Sequence, residues 1–261
     1  MTSQDIALKP FDLSGKTALI TGATRGLGRA IADAFAGAGA DIVVVSRKPE
    51  ACEKVAAELT ATHGVRTWPM ACNVSSWEQC TELADRAEAA TSGVDVLVNN
   101  AGMSPLYPSL TQLDEGLYDK VFGVNTKGPF RLAILLGEAM HGRGHGSIIN
   151  LSSVESLYPT PHALPYAAAK AALNVIGKGL AREFGPTVRV NTILAGPFLT
   201  DIAKSWDMAA FDAIARRGIA LQRAGSPDEI VGAALYLASD AASYTTGSEI
   251  RVDGGVFGAF V

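Results

Sequence analysis

Cysteine is scarce in this 261-residue chain: Cys52, Cys72 and Cys80 are an odd number with no C-x-x-C spacing. Neither a disulfide framework nor a zinc site is expected from them. Histidine is also sparse, and the four residues do not gather. His141 and His145 fall in the Gly-rich stretch His141–His145 and read as surface turn residues, with no carboxylate at useful metal-ligand spacing. No metal is expected. Charge is low as well, 18% of residues, with a net charge of −4 and no block of one sign. That argues against nucleic acid and against a polybasic membrane anchor. Long hydrophobic runs are missing. The apolar stretches, such as Ile42–Val45, fall far short of the roughly 18–20 residues of a membrane span. Met1–Pro10 holds Asp5 and Lys9 and no apolar core, so a secretory signal is not expected either. A soluble protein of a reducing, cytoplasmic compartment is the expectation.

What the chain has is apolar content, 48% hydrophobic residues, enough for a sizeable core. Short β-branched runs alternate with segments of helical period. Thr17–Thr21, Asp41–Ser46, Arg66–Ala71, Val94–Asn99, Ser147–Leu151, Val188–Ile193 and Glu249–Val252 read as strands. Between them, apolar residues recur at three- and four-residue spacing, most clearly at Ala169, Ala172, Leu173, Ile176, Leu180 and Phe184. Strands that are apolar throughout suit a parallel sheet covered on both faces. The expected fold is therefore α/β, a doubly wound parallel sheet of about seven strands with helices on both faces. With no repeat, linker or composition break, residues 1–261 read as a single domain. Two stretches break the alternation, Ser152–Pro165 and Gly196–Gly225. Both follow strands and so line the ligand crevice of such a sheet.

The first strand runs into Thr21-Gly22-Ala23-Thr24-Arg25-Gly26-Leu27-Gly28, with a helix expected from about Arg29. Glycines here permit a tight turn and close approach of backbone to a pyrophosphate, which the helix start then favours. A turn that merely joins strand to helix is the bland reading. The T-G-x-x-x-G-x-G spacing resembles that of the short-chain dehydrogenase/reductase family, compact single-domain branch, and the resemblance runs along nearly the whole chain. Asn99-Asn100-Ala101-Gly102 looks like the family's N-N-A-G segment, and Asp253-Gly254-Gly255 like its C-terminal D-G-G. The resemblance implies a Rossmann-type sheet, a nicotinamide cofactor, and transfer of a hydride between it and a ketone or secondary alcohol.

Cofactor choice is read at the end of the second strand. An acid about 20 residues beyond the glycine turn bonds the ribose 2′-hydroxyl of NAD. Here the strand ends Val45-Ser46-Arg47, with no acid. Ser46 can donate to a 2′-phosphate, Arg47 can pair with it, and Arg25 can reach it from the glycine turn. NADP(H) is expected. Asn73, followed by Val74, stands where the family has an acid at the adenine, and its amide oxygen can still accept a hydrogen bond.

Tyr166-Ala167-Ala168-Ala169-Lys170 puts a phenol and an ammonium on one helix face. The spacing alone is weak. It resembles the family's Y-x-x-x-K, however, with Ser153 in the position 13 residues upstream and Asn125 in its fourth catalytic position. Ketone reduction loads charge on the carbonyl oxygen. Ser153 can hydrogen-bond that oxygen, and Tyr166 can protonate it as general acid/base. Lys170 is expected to lower the phenol pKa from its usual value near 10; the resemblance implies that it also holds the nicotinamide ribose. It implies that Asn125 holds a relay water. Gly196 and Thr200 match the family run after the sixth strand, where Ala195 replaces a proline; Thr200 is expected at the carboxamide.

Met103, Ser104, Glu155, Ser156, Phe198, Trp206 and Met208 are the expected substrate-side positions, with Ser153 and Tyr166, and His162 is placed to join them. They suit a 3-oxoacyl, sugar/polyol or similar carbonyl about equally. Ile202–Met208 is expected to form a short helix in a mobile cover. Two other functions compete: a non-catalytic NADP(H)-binding sensor, which would be expected to lack Tyr or Lys, and an extended-branch epimerase or dehydratase, which needs a longer chain. The apolar tail Gly255–Val261 suggests an interface. With the family's habits, it points to a homotetramer.

Overall fold

The first strand, β1 (Thr17–Thr21), is buried at all positions, and alternate side chains leave it toward opposite sides. In this computed structural model, which describes residues 9–201 and 207–256, Ala18 and Ile20 join one apolar cluster and Leu19 another. The same split repeats in β2 (Asp41–Ser46), where Ile42 and Val44 face one side and Val43 and Val45 the other. A strand apolar on both faces needs a cover on each, and the helices supply it. Helices α1 (Gly26–Gly37) and α2 (Pro49–His63) add Ile31, Phe35 and Leu59 to the first cluster. Helices α3 (Trp77–Ala90), α5 (Gly128–Arg143) and α6 (Leu164–Glu183) add Leu83, Leu132, Leu136 and Leu180 to the second. Fully burying one such side chain contributes roughly 1.5–3 kcal/mol.

The remaining strands are β3 (Thr67–Ala71), β4 (Val96–Asn99), β5 (Gly146–Ser153), β6 (Val188–Ala195) and β7 (Glu249–Val252). All seven are parallel, in the order β3-β2-β1-β4-β5-β6-β7. The outer strands β3 and β7 are only partly buried, and Pro69 sits in β3, where a missing N–H is tolerated at an edge. The strand order reverses between β1 and β4. The carboxyl ends there form the crevice in which such sheets bind ligands.

The strands match the sequence reading to within two residues at each end, and the larger differences lie at the carboxyl edge. Helix α1 opens at Gly26, three residues before the expected start, because the glycines are themselves the first helical turn. β5 continues to Ser153, and Ser152–Pro165 is not wholly irregular: it holds two 3-10 turns, Val154–Ser156 and Pro161–Ala163, before α6 begins at Leu164. Within Gly196–Gly225 the helix is α7 (Met208–Gly218), started by Asp207, whose carboxylate accepts from Ala209 and Ala210 N–H. The expected helix over Ile202–Met208 lies almost wholly outside the described residues, as does the tail beyond Val256. Two further helices are α4 (Glu115–Phe122) and α8 (Val231–Ala238).

Candidate active site

The glycine turn is held from the side by the end of β4. Asn100 donates its side-chain N–H to the Thr21 carbonyl at 2.8 Å, while Thr21 Oγ1 accepts from Asn100 N and Ala101 N, both at 3.0 Å. Space is minimal: a Cβ on Gly28 would strike Asn100 Nδ2 and the Gly22 carbonyl. Gly22 has φ +69° and Gly26 φ +54°, left-handed values that favour glycine. Arg25 makes no side-chain cap, the first turn of α1 holds no acid, and the first helical bond is Arg29 N to Arg25 O. The N–H groups of Gly26, Leu27 and Gly28 therefore lack intrahelical partners. A cradle of this kind fits the diphosphate of a dinucleotide.

At the far end of β2, Ser46 is half-buried and Arg47 exposed. Ser46 Oγ lies 3.2 Å from Cys52 Sγ and 3.4 Å from Lys48 N. Arg47 has no ion-pair partner among the described residues. Arg25 differs: its guanidinium lies 3.7 Å from the Asp201 carboxylate, an ion pair the sequence reading did not foresee. Asn73 is exposed, and its Oδ1, expected to be open to an adenine amino group, accepts from Ser75 Oγ at 2.9 Å and Ser75 N at 3.3 Å. Val74 beside it is buried, with Gly128 packed tightly on its carbonyl. On the opposite side Thr200 covers the glycine turn; a Cβ on Gly26 would meet its methyl at 3.3 Å. Gly196 serves packing, since a Cβ there would stand 2.6 Å from Asp253 Cα.

The four candidate catalytic residues converge at the carboxyl edge between β4 and β5. A Cβ on Gly102 would stand 3.1 Å from Asn125 Oδ1 and 3.6 Å from Lys170 Nζ. Lys170 Nζ is 5.8 Å from the centre of the Tyr166 ring, and Tyr166 is hydrogen-bonded to Ser153. Helix α6 brings Tyr166 and Lys170 to one face; Ser153 ends β5. Asn125, fully buried, sits in a π-helical stretch, Gly123–Lys127, between α4 and α5. Insertions of this kind often mark functional positions. Here it turns Asn125 inward to donate to Val121 O at 2.9 Å and Met103 O at 2.8 Å, and to accept from Met103 N at 3.2 Å. Both amide hydrogens are thus used, leaving an Oδ1 lone pair for a water.

The electrostatics depart from expectation in one respect. Burial pushes the Tyr166 phenol above its ordinary value; the bond to Ser153 opposes the rise and the charge of Glu155 adds to it. Lys170 is not among the groups that shift it; its ammonium is buried and donates to the Leu151 carbonyl at 2.6 Å. Burial also brings Lys170 itself down to about 8.

On the substrate side, Glu155 is half-buried, and its carboxylate accepts from Thr160 N at 2.8 Å. Phe198, expected on the substrate side, is 7% exposed, packed in the core cluster and pressed on Gly225, where any Cβ would collide with its ring. A large apolar residue after a strand looks the same in sequence whether it faces a pocket or the core. Trp206 lies outside the described residues. Met208 and His162 are exposed. Tyr107 was missed: its hydroxyl bonds Pro161 O and Leu164 N, bracing the turn that leads into α6 and Tyr166, with no motif around it to signal this. Asp201 and Thr160 were also missed, although each sits beside a residue that was singled out. No three potential metal ligands group together among the described residues.

The family described as enoyl-(acyl carrier protein) reductase matches residues 22–257. D-threitol dehydrogenase of Mycolicibacterium smegmatis is 37% identical over 247 residues, 94% of each chain. A 3-oxoacyl (acyl-carrier-protein) reductase of Agrobacterium tumefaciens C58, solved with NADP bound, superposes with a TM-score of 0.91 at 34% identity, over 98% of this chain and 100% of that one. A 7 alpha-hydroxysteroid dehydrogenase, solved with NADH and 7-oxo glycochenodeoxycholic acid, gives 0.90 at 32% identity over 98% of both. With its seven-stranded parallel sheet and these relatives, the chain belongs to the short-chain dehydrogenase/reductase family of oxidoreductases.

Proposed function

We propose that the protein is an NADP(H)-dependent oxidoreductase that interconverts a ketone and a secondary alcohol. The observation that carries this is the convergence of Ser153, Tyr166, Lys170 and Asn125 at the crevice beside an uncapped glycine turn. Bound nicotinamide cofactor would supply or accept the hydride. Gly22, Thr24, Arg25, Gly26, Leu27 and Gly28 would hold its diphosphate end, with Asn100, Ala101 and Gly102 bracing the turn. Asn73 and Val74 would border the adenine. Ser46 and Arg47 would hold the 2′-phosphate, and the absence of an acid at the end of β2 supports NADP over NAD. Relatives occur with either cofactor, so the choice rests on these residues. Thr200 and Gly196 would border the carboxamide.

Ser153 Oγ would donate to the substrate oxygen as charge builds there. Tyr166 gives that oxygen a proton in reduction and removes one in oxidation. The buried Lys170 would bind ribose hydroxyls, and a water on Asn125 Oδ1 would return the proton from solvent. With the phenol raised above its usual value, the resting enzyme is set as an acid, ready for reduction. Glu155 and the segment from Trp206 to Met208 would meet the rest of the substrate. Residues 1–261 would act as a single domain in the cytoplasm, as a homotetramer. The outer face of α6, with Leu164, Ala168, Val175 and Gly179 exposed, offers a smooth surface for such assembly.

The test is a panel of carbonyls and secondary alcohols with NADP(H), read at the reduced-nicotinamide absorbance. Turnover of members of the panel is expected. Tight cofactor binding with no turnover of any member would instead support a non-catalytic sensor.

A further inference from the structure

The 3-10 turn Val154–Ser156 locks Glu155 to the reacting centre, since its backbone N–H donates to Ser153 Oγ at 3.2 Å. Its carboxylate is held in turn by Thr160, which donates from N at 2.8 Å and from Oγ1 to the two oxygens at 3.2 and 3.3 Å. A carboxylate has about four acceptor sites. Thr160 occupies roughly half of them, leaving acceptors on a half-buried, oriented charge. The bond from its own N–H to Ser153 Oγ places Glu155 beside the candidate catalytic serine. A narrow crevice lined by Pro105, Tyr107, Leu113, Leu117, Ala163 and Pro165 also borders Tyr166.

Resting on the redox reading above, we infer that Glu155 is a substrate-specificity residue: it accepts hydrogen bonds from hydroxyls neighbouring the reacting carbon and selects neutral polyhydroxylated alcohols and ketoses over anionic substrates. A polyol carries donors on each carbon, so one oriented carboxylate can take two vicinal hydroxyls. A substrate ending in a carboxylate or phosphate would bring like charge to a partly desolvated site, which is strongly disfavoured. Thr160 fixes the direction of the carboxylate and acts as its positioning residue.

The experiment measures kcat/KM with NADP⁺ for neutral tetritols, pentitols and hexitols against aldonates of equal length, in the unmodified enzyme and in Glu155→Gln, Glu155→Asp and Tyr166→Phe. The enzyme is expected to favour the neutral series by at least about tenfold. Glu155→Gln, which keeps the shape and loses the charge, should cut that ratio about tenfold, whereas Glu155→Asp keeps most of it. Equal rates for the two series, or a ratio unchanged in Glu155→Gln, would overturn the assignment. Polyol turnover that survives Tyr166→Phe would overturn the catalytic reading beneath it instead, so the two failures are separable.

Discussion

The two halves of the crevice are built differently. On the cofactor side, β1 and β4 end in a turn where short side chains clamp backbone: Thr21 bonds Asn100 and Ala101, and Gly28 has no room for a Cβ. On the substrate side, long connections after β5 and β6 carry the contacts. Helix α7 buries only Ala215 fully, and its far end is tied to the C-terminal segment by Ala220 N to Gly255 O and Leu221 N to Gly254 O. The first half serves a cofactor common to a family whose members differ widely in substrate. It tolerates almost no change in shape. The second half would, on the proposed function, set the substrate, and its side chains are joined to the frame at few points. Conserving chemistry while changing substrate thus needs a stiff side and a variable one.

The largest effect should come from the chemistry itself. Tyr166→Phe keeps the ring and removes the proton, so kcat should fall by about 10²–10⁴-fold. Calorimetry should find the cofactor dissociation constant nearly unchanged; joint loss of binding and turnover would make Tyr166 a structural residue. Next comes Arg47→Ala. It should narrow the preference for NADP(H) over NAD(H) by roughly ten- to a hundredfold, the value of a charge-assisted bond to phosphate. Equal affinities in the unmodified enzyme would remove the NADP assignment.

The pH dependence follows from the raised phenol. Oxidation needs the phenolate, so below the phenol pKa its kcat/KM should climb about tenfold per pH unit, while reduction, which needs the protonated form, stays level or falls at alkaline pH. A profile for oxidation already flat at pH 7 would show that the phenol is lowered once the site is filled.

The comparison of the halves can be tested on stability. Gly28→Ala forces a Cβ against Asn100 and should cost ~1–3 kcal/mol in denaturant unfolding. Met208→Ala, on an exposed side chain of α7, should stay within about 0.5 kcal/mol and appear only in KM. Equal losses would mean that both halves are packed alike.

Why one half was readable in sequence follows from the same contrast. The glycine turn leaves its mark as spacing, because Gly22, Gly26 and Gly28 answer to backbone geometry that few other residues satisfy. Strands apolar on both faces announce a covered parallel sheet, and β1 and β2 keep their expected bounds, as does the edge strand β7. Tyr166, Lys170, Ser153 and Asn125 were found together through the resemblance, since none of their spacings alone is informative. Substrate-side residues obey no such rule. Phe198 reads as a pocket residue and is core, and Thr160 holds Glu155 from outside any motif; on the cofactor side, too, Asn73 is engaged by Ser75 and Asp201 pairs with Arg25 unannounced. The setting of Lys170 beside Tyr166 is not legible in the sequence either. Periodicity puts both on one helix face, but it does not reveal that the Leu151 carbonyl takes the ammonium.

The central claim is hydride transfer with Tyr166 as the proton donor and acceptor. Its most direct test uses a polyol deuterated at the reacting carbinol carbon, with NADP⁺, and follows the label by NMR. The account predicts deuterium on the nicotinamide ring of the reduced cofactor with the unmodified enzyme, and almost none in the same time with Tyr166→Phe. Product formed with the deuterium released to solvent, or label transferred equally well by Tyr166→Phe, would contradict it.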